Sequence, residues 1–285
     1  MIQDIGENIF RNEFALRREP AADDNVIVYT EGQTACCVEN NIIAFPKVCE
    51  LPEAYTDKLI YLFDVDREGF FLLLTDAGFA SELPEKYTFG SVRKIRSTDP
   101  EPHKYLFAAF TAQHLAEWYL SNRFCGRCGS ENIQDENERA MLCPECGMKV
   151  YPRIDPAVIV GVVSGEKLLI TRYRKGFAHN ALVAGFTEIG ESLEATVVRE
   201  VMEEAGLKVK NIRYYKSQPW GIASNILAGF FCEAEGDSTI HMDENELKYA
   251  EWLSSDEIVL QPYDHSLTNE MMKLFKDIGR GVLEK

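Results

Sequence analysis

The chain has 285 residues, 46% of them hydrophobic and 27% charged, a length and balance that predict about two soluble domains of roughly 150 residues each. It carries 30 lysines and arginines against 46 aspartates and glutamates, a formal net charge of −16. That excludes non-specific nucleic-acid binding, which needs clustered cations to displace counterions. The same charge admits a phosphate-bearing substrate where a metal ion lies between acid and phosphate. The longest apolar run, residues 157–163, is far short of the roughly 20 residues of a membrane span. Residues 1–7 show no basic segment leading into an apolar one, so the expectation is no membrane association and a reducing, cytoplasmic location.

Taken in chain order, residues 1–122 read as an N-terminal α/β domain. Strand-like runs at 25–29, 41–45, 59–63 and 70–74 are rich in β-branched and aromatic residues, with turn residues at 66–69. A helix is expected over 103–122, where Phe107, Phe110, Thr111, His114, Leu115, Trp118 and Tyr119 recur at three- and four-residue spacing. His114 reads as a packed helix residue. Nothing in this region carries recognisable chemistry, and no internal repeat is evident.

Eight cysteines divide into two groups. Cys36, Cys37, Cys49 and Cys232 have no ligand spacing and read as small packing residues. Cys125, Cys128, Cys143 and Cys146 form C-x2-C, fourteen residues, C-x2-C. Two residues between thiolates let one tight turn present both sulfurs to a tetrahedral zinc, and Gly129 and Gly147 stand where such turns need a positive φ. We expect residues 123–150 to be a zinc ribbon with a single structural Zn²⁺ and no open coordination position. Disulfides and a redox pair fit this spacing and compartment less well.

Residues 151–156 form a stiff connection into a third region, 151–285, with strands at 157–164 and 167–171 and a C-terminal helix over 267–283. Between them, 193–205 lacks proline and glycine, Ser192 is a suitable N-cap and Gly206 a natural stop. At 100° per residue, Glu200, Glu203 and Glu204 share an arc of about 100°. Val198, Val201, Met202 and Ala205 are expected on the opposite, core side. Carboxylates this close repel, which an oxygen-preferring cation such as Mg²⁺ or Mn²⁺ would relieve.

The segment 185–207 satisfies G-x5-E-x7-R-E-U-x-E-E-x-G-U, with U a bulky aliphatic residue and nine positions constrained. It resembles the Nudix box without departure. The resemblance implies an α/β/α sandwich around a mixed sheet, and so an α+β chain overall. It implies Glu200 and Glu204 as direct cation ligands, Glu203 as ligand or water-positioning base, and the Ala184 carbonyl as a further ligand. Gly185, Glu191, Arg199 and Gly206 would be structural, with Arg199 pairing Glu191 to hold the loop on the helix.

A four-cysteine ribbon directly before the box, followed by Ser217-Gln218-Pro219-Trp220, resembles the NADH pyrophosphatase (NAD diphosphatase) family of zinc-ribbon Nudix hydrolases. That family carries an S-Q-P-W-P-F-P-x-S array, and this chain departs from it. Gly221, Ile222 and Ala223 replace P-F-P, and Asn225 stands at the serine position with Ser224 before it. The resemblance implies a substrate site of Tyr151, Phe186 and residues 218–225, with Tyr151 and Phe186 flanking a base across a homodimer. It also implies Glu246 as a late metal ligand, in the E-L-x-x-A-x-W context of Glu246, Leu247, Ala250 and Trp252. The expected activity is hydrolysis of NAD(H) to nicotinamide mononucleotide and AMP. Alternatives are a broader dinucleotide or nucleoside-diphosphate-sugar pyrophosphatase, removal of NAD caps from RNA, or a catalytically silent nucleotide-binding or zinc-ribbon adaptor protein. Restoring the tripeptide by Gly221→Pro, Ile222→Phe and Ala223→Pro is expected to sharpen preference for NADH.

Overall fold

The computed structural model describes every residue except Phe177 and Lys285, and the side chain of Ala77. The chain divides into two compact units, one of residues 3–153 and 220–224, the other of residues 1–2, 154–219 and 225–285.

The first unit contains strands β1 (Phe10–Arg11), β2 (Asn25–Thr30), β3 (Gln33–Glu39), β4 (Ile42–Ala44), β5 (Ile60–Val65), β6 (Glu68–Leu74) and β7 (Thr88–Gly90), then helices α1 (Val92–Arg96) and α2 (His103–Ser121). The strands order as β1-β5-β6-β2-β3-β4, with β7 also on β3. β2 is buried along its whole length and runs parallel to β6, with Asn25 opposite Phe70. Strand β3 is an addition to the sequence-based expectation. Its Gln33-Thr34-Ala35-Cys36-Cys37 stretch lacks the large β-formers that mark its neighbours, and it is a strand because it pairs with β2 on one side and with β4 and β7 further along. The turn before β6 is also shorter than expected, since Glu68 and Gly69 already belong to the strand. Helix α2 buries Leu106, Phe107, Phe110, Leu115, Trp118 and Tyr119. His114 is only partly buried on it and pairs through Nε2 with the Arg153 carbonyl at 2.7 Å.

The ribbon follows in the same unit as β8 (Ile133–Gln134), β9 (Met141–Leu142) and β10 (Lys149–Val150), in the order β10-β9-β8.

The second unit holds β11 (Asp155–Ser164), β12 (Lys167–Tyr173), β13 (Val183–Phe186), helix α3 (Leu193–Ala205), β14 (Val209–Trp220), β15 (Asn225–Ala234), β16 (Leu247–Ser254) and helix α4 (Leu267–Ile278). The sheet order is β14-β15-β11-β12-β16, with β13 on β11. β11 and β15 are parallel, with Asp155 opposite Asn225, whereas β12 and β13 run antiparallel to β11. Alternate residues of a strand face opposite sides of its sheet. Ala228, Phe230 and Cys232 therefore join Val197, Val201 and Ala205 of α3 in one core. On the other face, a side chain at Gly229 would press on Met271 and Leu267 of α4. The result is a helix–sheet–helix sandwich around a mixed sheet. The C-terminal helix is shorter than the 267–283 expected, because Gly279 takes a positive φ and the chain continues as a 3-10 turn over Gly279–Glu284.

Although the sequence shows no repeat, the first unit contains the order β5-β6-β2-β3-β7 and the second β14-β15-β11-β12-β16. Both centre on a parallel pair (β2 with β6, β11 with β15) and continue from it into antiparallel strands, β3 and β7 in the first unit and β12 and β16 in the second. They differ before the next edge strand. Between β13 and β14 lies α3, whereas between β4 and β5 lie only the 3-10 turns Val48–Glu50 and Glu53–Lys58. Pro46 and Pro52 in that stretch deny a long helix its backbone donors.

Candidate active site and zinc centre

Each C-x2-C turn of the ribbon folds on itself. The Gly129 amide donates to the Cys125 carbonyl and the Gly147 amide to the Cys143 carbonyl, each at 2.9 Å. Gly129 and Gly147 have φ of 80° and 71°, the left-handed region the sequence called for. Cys125 and Cys143 are buried. All four Sγ atoms lie within 4.8 Å of one another, and Sγ–Sγ separations of 3.4 Å for Cys128–Cys143 and 3.6 Å for Cys125–Cys146 are non-bonded. Tetrahedral Zn–S bonds of about 2.3 Å place sulfurs roughly 3.8 Å apart, so the quartet fits a structural zinc. All eight cysteines are free of disulfides.

Helix α3 begins and ends where the sequence placed it. The Ser192 hydroxyl accepts from the Ala195 amide, and Gly206 closes the helix at φ 67°. Its buried face differs from the expectation. Val197, Val201 and Ala205 are fully buried, while Val198 and Met202 are 44% and 40% exposed. The rotation follows from the sheet that α3 covers, and it carries two carboxylates inward with the apolar stripe: Glu204 is 2% exposed and Glu200 9%. Glu203 stays at the surface.

The Arg199 guanidinium gathers the loop and the helix. Nε and Nη2 donate to Glu191 at 2.7 and 2.9 Å, Nη2 also donates to the Phe186 carbonyl at 2.8 Å, and Nη1 donates to Glu200 at 2.7 Å and Glu203 at 2.9 Å. Arg199 holds the Glu191 carboxyl down to about 2. Gly185 is required by contact: a Cβ there would collide with the Glu200 carboxylate. Burial, reinforced by the charges of Glu200 and Glu246, pushes Glu204 up to about 8, and burial likewise raises Glu200. Glu200 and Glu204 are thus held where burial and neighbouring acids oppose their ionisation, and a divalent cation is the chemical complement of such a donor set.

The sequence missed Tyr173. Its hydroxyl lies 3.1 and 3.2 Å from the Glu204 carboxylate oxygens and accepts from the Ala184 amide at 3.0 Å. It stands outside the box, and no spacing signal marks it.

The remaining residues of the expected substrate site fall in both units. In the second, Phe186 is 54% exposed. Asn225 is buried with Oδ1 unpartnered. Gln218 is fully buried. Its Nε2 donates to the His265 carbonyl at 2.8 Å and its Oε1 accepts from the Leu267 amide at 2.7 Å, a structural tie at the start of α4 and not an open recognition group. Pro219 is exposed. In the first unit, Tyr151 is 54% exposed and donates to Glu138 at 2.7 Å. Tyr151 and Ser224 help line a cavity of about 380 Å³ with Glu117, Trp118 and Arg153. The Trp220 ring packs on Phe110, centroids 5.4 Å apart. Ile222 is half-buried and Ala223 exposed. Gly221 bears on the tripeptide exchange expected to sharpen preference for NADH. A Cβ at this position would run into the Phe110 carbonyl oxygen, so glycine is required by close packing and the proposed Gly221→Pro exchange has no room.

A helix–sheet–helix sandwich with this arginine-braced glutamate helix, together with a four-cysteine ribbon, defines a Nudix hydrolase with a structural zinc module. The NUDIX domain family matches residues 153–275, and the NADH pyrophosphatase zinc ribbon domain matches residues 120–151. A relative from Klebsiella pneumoniae (strain 342), NAD-capped RNA hydrolase NudC, is 40% identical over 181 residues, covering 62% of this chain and 68% of the relative. The protein of the same name from Escherichia coli O1:K1 / APEC is 39% identical over 184 residues, covering 64% and 69%. Among solved structures, a NUDIX hydrolase from Nitrosomonas europaea is similar over 54% of this chain and 90% of its own, at 22% identity and a TM-score of 0.48. The chain belongs to the NADH pyrophosphatase family of zinc-ribbon Nudix hydrolases.

Proposed function

We propose that the protein hydrolyses the pyrophosphate bond of NAD(H), releasing nicotinamide mononucleotide and AMP. The observation that carries this reading is the burial of Glu200 and Glu204 beside Glu246, within a family whose ribbon model bears the name NADH pyrophosphatase. Glu200, Glu204, Glu246 and the Ala184 carbonyl would hold Mg²⁺ or Mn²⁺, with Glu203 as a further ligand or base. When bound, such cations supply neutralisation of the pyrophosphate charge and activation of water. The chain's own part is to hold the carboxylates ready. Arg199 fixes Glu200 and ties the loop of Glu191 and Phe186 to α3, and Gly185 leaves room for the Glu200 carboxylate.

Phe186 and Tyr151, both exposed aromatic rings, would flank the base, each site borrowing one ring from a second copy in a homodimer. The loop 219–224 and Asn225 would shape the rest of the substrate site. The chain would work in three parts, 1–122, 123–150 and 151–285, the ribbon carrying one Zn²⁺, in a reducing cytoplasm. Among the described residues no helix is long and apolar enough to cross a membrane. A second reading, removal of NAD from RNA 5′ ends, is favoured by the names of the relatives. The net charge of −16 restricts it to recognition of the capped end.

The test is a panel of NADH, NAD, FAD, ADP-ribose, diadenosine polyphosphates and NAD-capped RNA, with products identified in Mg²⁺ and in Mn²⁺. Nicotinamide mononucleotide and AMP from NAD(H) are expected. Cleavage of ADP-ribose or FAD with NAD(H) untouched would overturn the substrate assignment.

A further inference from the structure

Tyr173 is the last residue of β12, at a break in the sheet. Opposite it, the β16 register steps from Tyr249 to Leu247, passing over Lys248. Such irregularities re-aim side chains at strand ends. The Tyr173 hydroxyl meets two elements at once. It accepts a hydrogen bond from the β13 backbone at Ala184 and donates to the Glu204 carboxylate of α3, with the Ala184 carbonyl 3.3 Å away. Its neighbour extends the pattern to the turn before β16: the Arg174 amide donates to the Glu246 carbonyl at 2.9 Å, and its guanidinium donates to the Glu244 carbonyl.

We propose that Tyr173 is a positioning residue for the divalent-cation site: a single hydroxyl fixes the Glu204 carboxylate against the Ala184 backbone and so sets cation affinity. The inference rests on the reading that Glu204 and Ala184 bind the cation. Among the described residues, only the four cysteines bring three or more candidate ligand atoms within 4.8 Å of one another. The box glutamates each have a protein partner, Glu200 and Glu203 sharing Arg199 and Glu204 on Tyr173. A carboxylate braced by a hydroxyl loses less freedom on binding an ion than one that is free, and outer partners of this kind typically set metal affinity by about 10–100-fold.

The test uses the full zinc-loaded chain without substrate and follows free Mn²⁺ by electron paramagnetic resonance. Tyr173→Phe should raise the Mn²⁺ Kd about tenfold or more, leave the zinc content unchanged, and leave KM for NADH unaltered at saturating Mn²⁺ while the Mn²⁺ dependence of the rate shifts upward. A Kd within about twofold of the parent would overturn the proposal, since typical effects are far larger. Glu204→Gln is the reference: if it binds Mn²⁺ as the parent does, the cation-site reading itself has failed, whatever Tyr173→Phe shows. The double variant should bind no more weakly than Glu204→Gln alone, because Tyr173 acts through Glu204, and independent, additive losses would refute that route. Should Tyr173→Phe fail to fold, a titration of the parent chain labelled with [ζ-¹³C]tyrosine replaces it. Mg²⁺ should shift a buried tyrosine signal in the parent and not in Glu204→Gln, and a parent spectrum unmoved by Mg²⁺ would refute the proposal.

Discussion

In the first unit, the order β5-β6-β2-β3-β7 is reached through two short turns after β4. In the second, the same order accommodates the 13-residue helix α3 after β13. The acids in the corresponding stretches have different fates. Glu50 of the first unit is neutralised by Lys86 at 2.6 Å, by the Tyr87 hydroxyl at 2.6 Å and by the Lys47 amide at 2.9 Å. Glu200 and Glu204 of the second are buried with repelling acids for neighbours. A shared strand order therefore supplies a platform and no chemistry. The proposed chemistry comes with a helix that turns carboxylates inward and with a strand, β13, that lacks a side chain at Gly185.

The largest expected effect on activity tests that contrast directly. Glu204→Gln or Glu200→Gln should lower kcat by at least about 10²–10³-fold, in the range seen when one electrostatic group of an active site is lost, with the thermal melt preserved. Steady-state rates in Mg²⁺ and Mn²⁺ beside circular-dichroism melts decide it, and near-normal turnover would place the chemistry elsewhere.

The ribbon of the first unit comes next, because there the metal is expected to build structure. Cys143→Ser should abolish zinc retention and forfeit much of the roughly 10–16 kcal/mol that a structural zinc gives a small module. Metal analysis and melting of the purified chain report it. A zinc-free protein with an unchanged Tm would mean that the ribbon is held by its own packing.

A smaller effect is expected at Asp24, just before β2 of the first unit. Its carboxylate accepts from Arg18 Nη1 and Nη2 at 2.6 and 2.7 Å and from the Ala21 and Gly69 amides at 2.7 and 3.0 Å. Asp24→Asn should cost about 2–3 kcal/mol and leave kcat per folded molecule unaltered. Burial alone would raise the Asp24 pKa, but the hydrogen bonds from Arg18, Ala21 and Gly69 outweigh it and the folded value is depressed. The stabilisation is therefore present above the unfolded pKa, near 4, and is lost as pH falls through the folded value. Urea melts at pH 7 and pH 3 should show the gap between parent and Asp24→Asn closing in acid.

The smallest effect sharpens the reading of the loop after β14. Gly221→Ala should destabilise the first unit by about 1–2 kcal/mol through overpacking against Phe110, with α2 shifted to make room. An unchanged melt would mean that the loop yields more readily than its packing implies.

How much of this was legible beforehand differs between the units for one reason. The zinc turns and α3 are local: Cys-x2-Cys spacing, the two glycines, the Ser192 cap and the Gly206 stop act over a few residues, and the structure has them where the sequence put them. The three box glutamates were legible in the same way. Strand β3 was not, because its residues become a strand only through partners supplied by β2, β4 and β7.

The sequence by itself determined that four cysteines make one ribbon and that Glu200, Glu203 and Glu204 lie along one helix. Tertiary structure decided which of them are buried. Periodicity defines a stripe on a helix, but only the sheet beneath sets its angle, and the angle chosen covers Val197 and leaves Val198 exposed. It also decided that Gly221 is fixed by Phe110 and that Gln218 is spent on backbone groups 47 and 49 residues away. Finally, it joined Tyr173 to Glu204 across 31 residues. These contacts follow from chain packing at long sequence separation, which no local pattern encodes.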